Sequence, residues 1–266
     1  MRINTECACS IPWGVFLVQG LNNLKNMSTP YYVSPEQIRQ DKEDFVRRGI
    51  AQAKEVVVLE YQDGLLMVAE NPRKTIYKIS EIYDRIALAA AGRIAEYEAL
   101  RVAGIRESEI KGFRYYREDV TAKWLTNLYS QHMGAIAQAW DAKPLEIELL
   151  VCEVGMTAET APGLQRNQIY HIAFDGIYSE EEKYAVIGGR ATAITEMLEQ
   201  RYTDGLEMHA ALRLVTETFQ NIETDTDTED DYEITPETIE VACLEQTAER
   251  RRFRRLSTDE VTALLS

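Results

Sequence analysis

The sequence predicts an α+β protein, a four-layer α/β/β/α sandwich in a single domain. Three observations predict it. Apolar stretches of strand length come in pairs around turn residues. Helical periodicity returns after pairs of strands rather than after every strand. Over 266 residues, 45% apolar against 27% charged is the balance of a globular chain with a sizeable core.

The first element is a helix opened by Ser34-Pro35-Glu36-Gln37. Ser34 caps, Pro35 suits the first helical position, and Gln37 closes a capping box. The helix is expected to run to Arg48, with Gly49 just beyond and Arg47 and Arg48 complementing the terminal carbonyls. Its apolar residues, Ile38, Phe45 and Val46, form a stripe too narrow to bury much in one chain, which points to a contact with another subunit.

Residues 55–61 and 65–70 read as a hairpin around Gln62-Asp63-Gly64. Short strands follow at 75–79 and 86–91, and Gly92 opens a helix through Arg101. Trp124, Leu125, Leu128, Tyr129, His132, Ile136 and Trp140 recur at helical spacing in a second helix over 120–139. Strands return at 146–153, 168–174 and 184–187, with Asp175-Gly176 turning the chain. Helices at 192–202 and 206–222 precede an acidic, Thr-rich loop at 223–233. Strands at 238–244 and 253–256 and a helix capped by Ser257-Thr258-Asp259-Glu260 end the chain.

The charge balance is 29 Lys+Arg against 44 Asp+Glu, a net −15. That argues against nucleic acid or an anionic membrane as partner, because phosphate binding needs clustered cations. Four Cys are too few for a disulfide scaffold, so a reducing, cytoplasmic setting is expected. Residues 1–26 do not match the rest. The apolar run 11–18 is far short of the roughly 20 residues that span a bilayer. The segment reads as an extension ahead of a start at Met27, or as a cleaved leader after Arg2. Cys7-Ala8-Cys9 lacks a second Cys/His pair to complete a metal site.

Chemical motifs are scarce. His132 sits on an apolar helix face, as a core or interface histidine, while His171 and His209 have no partner pattern nearby in sequence. Cys152 and Cys243 lie in apolar strands, where a thiol behaves as a small hydrophobe. Gly188-Gly189, between a strand and a helix, fits either close packing or an anion site, with packing favoured. No Gly-x-Ser-x-Gly, His-Glu-x-x-His or phosphate-loop pattern occurs. No catalytic residue, metal or cofactor is expected.

From Met27 onward the chain resembles the α-type subunit of the actinobacterial proteasome core. The likeness is carried by Ser34-Pro35-Glu36-Gln37, Arg48-Gly49-Ile50-Ala51, Val68-Ala69-Glu70-Asn71-Pro72, Lys78-Ile79-Ser80-Glu81-Ile82-Tyr83-Asp84-Arg85, Ala89-Ala90-Ala91-Gly92 and Glu148-Leu149-Leu150-Val151, in register over nine-tenths of the length. The resemblance implies an Ntn-hydrolase sandwich used as architecture. Seven copies form each outer ring, around inner rings of β-type subunits that carry the catalytic threonines. The β-type nucleophile is an N-terminal Thr freed by cutting a Gly-Thr bond, with its α-amine as base. Here none of the fourteen Gly precedes a Thr, and no Ser, Thr or Cys lies between Gly49 and Tyr61. Aligning the hairpins puts the nucleophile position near Lys54, behind a capped helix.

The resemblance assigns three roles. Ser28, Thr29, Pro30, Tyr31, Tyr32 and Val33 match the segment that gates the axial pore, a frayed terminus being the alternative. The helix carrying Ser34, Pro35, Ile38, Phe45 and Val46 faces the β ring and neighbouring α subunits. Lys78 matches the lysine that pairs, in pockets between α subunits, with the C-terminal carboxylate of a hexameric ring ATPase whose tail ends hydrophobic-Tyr-any residue. A plain surface lysine is the alternative for Lys78. Implied substrates are proteins tagged with a small ubiquitin-like modifier. The rival readings are an Ntn-type threonine peptidase with its own activity and an acidic monomeric binding module.

Overall fold

The computed structural model describes residues 33–72, 75–156, 166–222, 233–247 and 251–266. The chain divides at Asp41 into a first unit and a body, Lys42–Ser266. Helix α1 spans Pro35–Ile50. The Ser34 hydroxyl accepts the Gln37 N–H at 3.1 Å, as expected of the cap. The reciprocal half of the box does not form, because the Gln37 amide donates to Asp41 instead. Gly49 lies inside the helix rather than beyond it, and the helix ends two residues later than expected, where Ile50 and Val46 bury against Phe174.

Two five-stranded antiparallel sheets follow. The first contains β1 (Val56–Tyr61), β2 (Gly64–Glu70), β8 (Tyr184–Ile187), β9 (Ile239–Glu245) and β10 (Phe253–Arg255), in the order β10-β9-β2-β1-β8. The second contains β3 (Ile79–Tyr83), β4 (Ile86–Gly92), β5 (Ile147–Glu153), β6 (Gln168–Ile172) and β7 (Tyr178–Glu181), paired in sequence order. Strand alternation sorts their side chains. Val56, Val58, Leu65, Met67, Ala242 and Leu244 meet Ala87, Ala89, Leu150 and Cys152 between the sheets.

The opposite faces take the helices. Val57, Leu59, Leu66, Val68 and Val241 pack with α4 (Ala191–Arg201), α5 (Met208–Asn221) and α6 (Thr258–Leu265). Leu88, Leu149, Val151 and Tyr170 pack with α2 (Ile94–Arg114) and α3 (Ala122–Gln138). The expected four-layer sandwich is therefore the observed one, and the Ser257/Glu260 box caps α6 as expected.

The sequence misplaces several boundaries. The strand expected at 75–79 lies at Ile79–Tyr83, because the Ile76 carbonyl and Lys78 N–H bond to side chains instead of to a strand. The helix expected to end at Arg101 continues to Arg114. Gly104 interrupts its pattern, yet marks where α2 approaches α3 so closely that a Cβ would stand 1.8 Å from the Tyr129 hydroxyl. Strand β7 goes unforeseen, since it is a mostly exposed, acidic edge strand with no apolar alternation. The strand expected to reach Phe174 stops at Ile172, before the Asp175-Gly176 turn. His132 is exposed rather than in the core of this chain, and Trp140 lies beyond the end of α3 and is exposed.

Candidate functional site

Strand register gathers a charged cluster at one end of the sandwich. β1 and β9 begin where β2 ends: Val56 and Glu240 both pair with Ala69, and Glu70 pairs with Ile239. Val56 also pairs with Ile187, which brings the start of α4 to the same place. Lys54, Glu55, Glu70, Arg190 and Glu240 thus converge from positions as far apart as 54 and 240. Lys78, the residue before β3, completes the group from the other sheet.

Two buried centres make up the cluster. In the first, Arg190 bridges two carboxylates. Its Nε and Nη2 donate to Glu55 at 3.0 and 2.8 Å, its Nη2 also reaches Glu70 at 2.8 Å, and its backbone N–H donates to Glu55 at 3.1 Å. Both carboxyl side chains are only 3% exposed. Burial opposes ionisation of Glu55, but hydrogen bonding to Arg190 and Glu70, with the charge of the Arg190 guanidinium, overcomes it and holds the carboxyl at about 2. Lys54 Nζ lies 3.6 Å from Glu70.

In the second, Glu240 stands on the same strand face as Ala242 and Leu244, so its carboxylate points between the sheets. Its Oε2 accepts the Lys78 N–H and the Asn71 side-chain amide, each at 2.9 Å, and its Oε1 accepts the Ile79 N–H at 3.2 Å. Arg255 forms a close ion pair with the same carboxylate, donates to the Ile79 carbonyl at 2.6 Å and lies 3.7 Å over the Tyr77 ring.

Lys78 is held between these centres, half-buried, with Nζ donating to the Lys54 carbonyl at 2.8 Å. Burial lowers its pKa to about 8, against the pull of Glu55, Glu70 and Glu240. The arrangement suits capture of an anion by a partly desolvated ammonium. Lys54 itself lies inside a continuous chain that follows α1.

The other expected residues scatter. Ser34 and Pro35 are exposed, Ile38 half-buried, Phe45 51% exposed and Val46 fully buried. Of the expected gate, Ser28, Thr29, Pro30, Tyr31 and Tyr32 lie outside the described residues, as do the extension 1–26 and most of the acidic loop at 223–233. Val33 is half-buried. Gly188 and Gly189 pack against the β1 approach: Gly189 donates to the Ala53 carbonyl at 3.0 Å, and a Cβ on Gly189 would lie 2.1 Å from the Ala51 oxygen. The N–H of Arg190, the residue before α4, serves Glu55, and that of Ala191 donates to the Gly188 carbonyl, so close packing, not anion binding, accounts for the pair. Cys152 and Cys243 are buried free thiols, as expected.

Elsewhere, a groove of about 680 Å³ is lined by Arg101, Arg251, Arg254 and Arg255, but each guanidinium is already held by a carboxylate, of Glu98, Glu81, Glu245 or Glu240. No group of His, Cys, Asp and Glu able to hold a metal occurs among the described residues. Nor is any helix there long and apolar enough to cross a membrane.

Sequence reasoning singled out Lys78 but not the Glu240, Arg255, Arg190 and Glu55 that the structure gathers around it. One signal was present: in Ile239-Glu240-Val241-Ala242-Cys243-Leu244 a carboxylate shares the inward register of an apolar strand.

Comparison with known proteins agrees with this architecture. Residues 50–237 match the family model for proteasome subunits. A proteasome subunit alpha of Kineococcus radiotolerans is 45% identical over 241 residues, covering 90% of this chain and 99% of the relative. One of Acidothermus cellulolyticus is 44% identical over 239 residues, with 90% and 98% covered, and one of Thermomonospora curvata is 42% identical over 240, with 90% and 99% covered. With the two-sheet sandwich, and with likeness across nearly the full length of these relatives, the chain belongs to the proteasome subunit family, in its α-type branch.

Proposed function

We propose that this chain is a non-catalytic subunit of the outer, seven-membered rings of a proteasome core particle, and that it gates substrate entry and docks a hexameric ring ATPase through Lys78. Its partners are further copies of itself, β-type subunits that carry the catalytic Thr, the ATPase, and cytoplasmic proteins tagged with a ubiquitin-like modifier. The observation that carries the docking role is the setting of Lys78. Glu240 accepts the Lys78 backbone N–H and the Lys54 carbonyl accepts from its ammonium, with burial and three carboxylates acting on that ammonium in opposite senses. Such a cation pairs strongly with a terminal carboxylate delivered by a peptide tail.

Two further features support the ring role. The exposed Phe45 on α1 and the exposed Trp140 past the end of α3 offer apolar area to neighbours. The approach to β1 has Lys54 and Glu55 in mid-chain, with Glu55 locked to Arg190, where a β-type chain begins with its nucleophile and free amine. The net charge of −15 fits neither a nucleic-acid nor a membrane role.

The test has two steps. Residues 27–266 are co-expressed with the β-type subunit of the same organism and the native mass is measured. A particle of four seven-membered rings is expected; a persistent monomer beside a folded β subunit overturns the ring reading in favour of an acidic binding module. Lys78→Ala is then placed in the particle. ATPase-stimulated protein degradation should be lost while basal peptide hydrolysis persists, and intact stimulation would sink the docking role.

A further inference from the structure

The segment bearing Lys78 is held to the sandwich by a side chain of the other sheet. Glu240 receives both N–H groups of the Lys78-Ile79 step, Asn71 ties the Ile76 carbonyl to Glu240, and Arg255 takes the Ile79 carbonyl while stacking on Tyr77. Residues 76–79 therefore have carbonyls, N–H groups and a ring fixed from β9, β10 and the end of β2, at a place where they make little strand pairing of their own. We infer that Glu240 is the positioning residue for anion capture by Lys78: its buried carboxylate fixes the backbone from which the ammonium projects.

The chemistry of the surroundings supports this role. Among the described residues, the charged groups around Lys78 are Lys54 and Glu55 ahead of β1, Glu70 at the end of β2, Glu240 on β9 and Arg255 on β10, with Arg190 behind the first two carboxylates. Glu55 and Glu70 are shared with Arg190, and Glu70 also faces Lys54. Glu240 is likewise shared with Arg255, and it is the carboxylate that binds the Lys78 backbone, so its part is to set the geometry, with Glu55 and Glu70 contributing more to the field at the ammonium. A Gln in its place keeps the volume, brings an NH2 group toward donors and removes the charge. Burial already lowers the Lys78 pKa to about 8, and loss of the Glu240 charge lowers it further, by less than loss of Glu55 or Glu70 would.

This inference rests on the reading of Lys78 as the docking cation, and the experiment separates the two. Binding to the assembled α/β particle is measured for a synthetic peptide ending hydrophobic-Tyr-any residue, as free acid and as C-terminal amide, from about pH 6.5 to about pH 9. In wild type the free acid should bind more tightly, and the advantage should fade near pH 8. In Glu240→Gln the free acid should bind about tenfold more weakly at neutral pH, with the fade moved to lower pH and amide binding little changed. If Glu240→Gln does not assemble, Asn71→Ala takes its place. It frees the Ile76 carbonyl and one Glu240 donor, and an acid-specific loss of about threefold is expected. Wild-type affinity and pH profile in the variant used, beside a loss in Lys78→Ala, overturn the role of Glu240 and leave docking intact. An unchanged Lys78→Ala overturns the docking reading and this inference with it.

Discussion

Replacing Arg190 with Met removes the one guanidinium that bridges Glu55 and Glu70 while keeping most of its apolar stem. The two carboxyl groups, each 3% exposed, then face each other, with Lys54 and Lys78 as the nearby cations among the described residues. Glu55 sits at about 2 in the fold against an ordinary 4.5. That gap corresponds to about 3 kcal/mol of folding free energy. Breaking a buried pair from one side costs about 3–5 kcal/mol, so the two routes agree. Because folding depresses the Glu55 pKa, its contribution is complete above pH 4.5 and is lost as the pH falls toward 2. Arg190→Met should therefore lower unfolding free energy by about 3–5 kcal/mol near pH 7, and the gap from wild type should shrink as the pH falls below 4.5. Urea unfolding followed by tryptophan fluorescence at about pH 7 and about pH 3 measures both. A neutral-pH gap below about 1 kcal/mol, or one that does not change with pH, would refute the reasoning.

Three other outcomes are expected. Gly189→Ala drives a Cβ to within 2.1 Å of the Ala51 oxygen, which is backbone and cannot swing away; it should cost about 2 kcal/mol or more and lower Tm by about 5 °C, and an unchanged Tm would contradict the packing. Burial pushes the Cys152 thiol well above its ordinary range and Cys243 up to about 12, so both should resist alkylation at neutral pH until denaturant is added, and rapid labelling by mass spectrometry would contradict this. Deleting residues 27–33 should speed peptide hydrolysis by the assembled particle, and unchanged rates would remove the proposed gate.

Much of the architecture was legible in the sequence because each half of a hairpin carries its own signal. Gln62-Asp63-Gly64 turns β1 into β2, and alternation in 65–70 assigns Leu65, Met67 and Ala69 to one face. The helix α6 was readable from four residues, since Ser257 and Glu260 satisfy each other's backbone donors locally. Gln37 shows the limit of the same rule, because Asp41 one turn on outcompetes the cap for its amide. Strand β3 and the second half of α2 failed for related reasons. Ile76 and Tyr77 look like strand residues but are fixed by Asn71 and Arg255, and the turns after Gly104 carry too few apolar residues to signal a helix.

By itself the sequence determined the order of the elements other than β7, the absence of a Gly-Thr processing site, and Lys78 as a residue of interest. What surrounds Lys78 was decided by tertiary structure. Glu240 lies 162 positions away and Arg190 lies 135 from Glu55. Only the pairing of β1 with β8 and β2 with β9 brings them to one sheet end. Propensity, capping and alternation act over a few residues and leave their mark in the local sequence. The field at an ammonium depends instead on burial and on charges within several ångströms, and those distances exist only once the two sheets have packed.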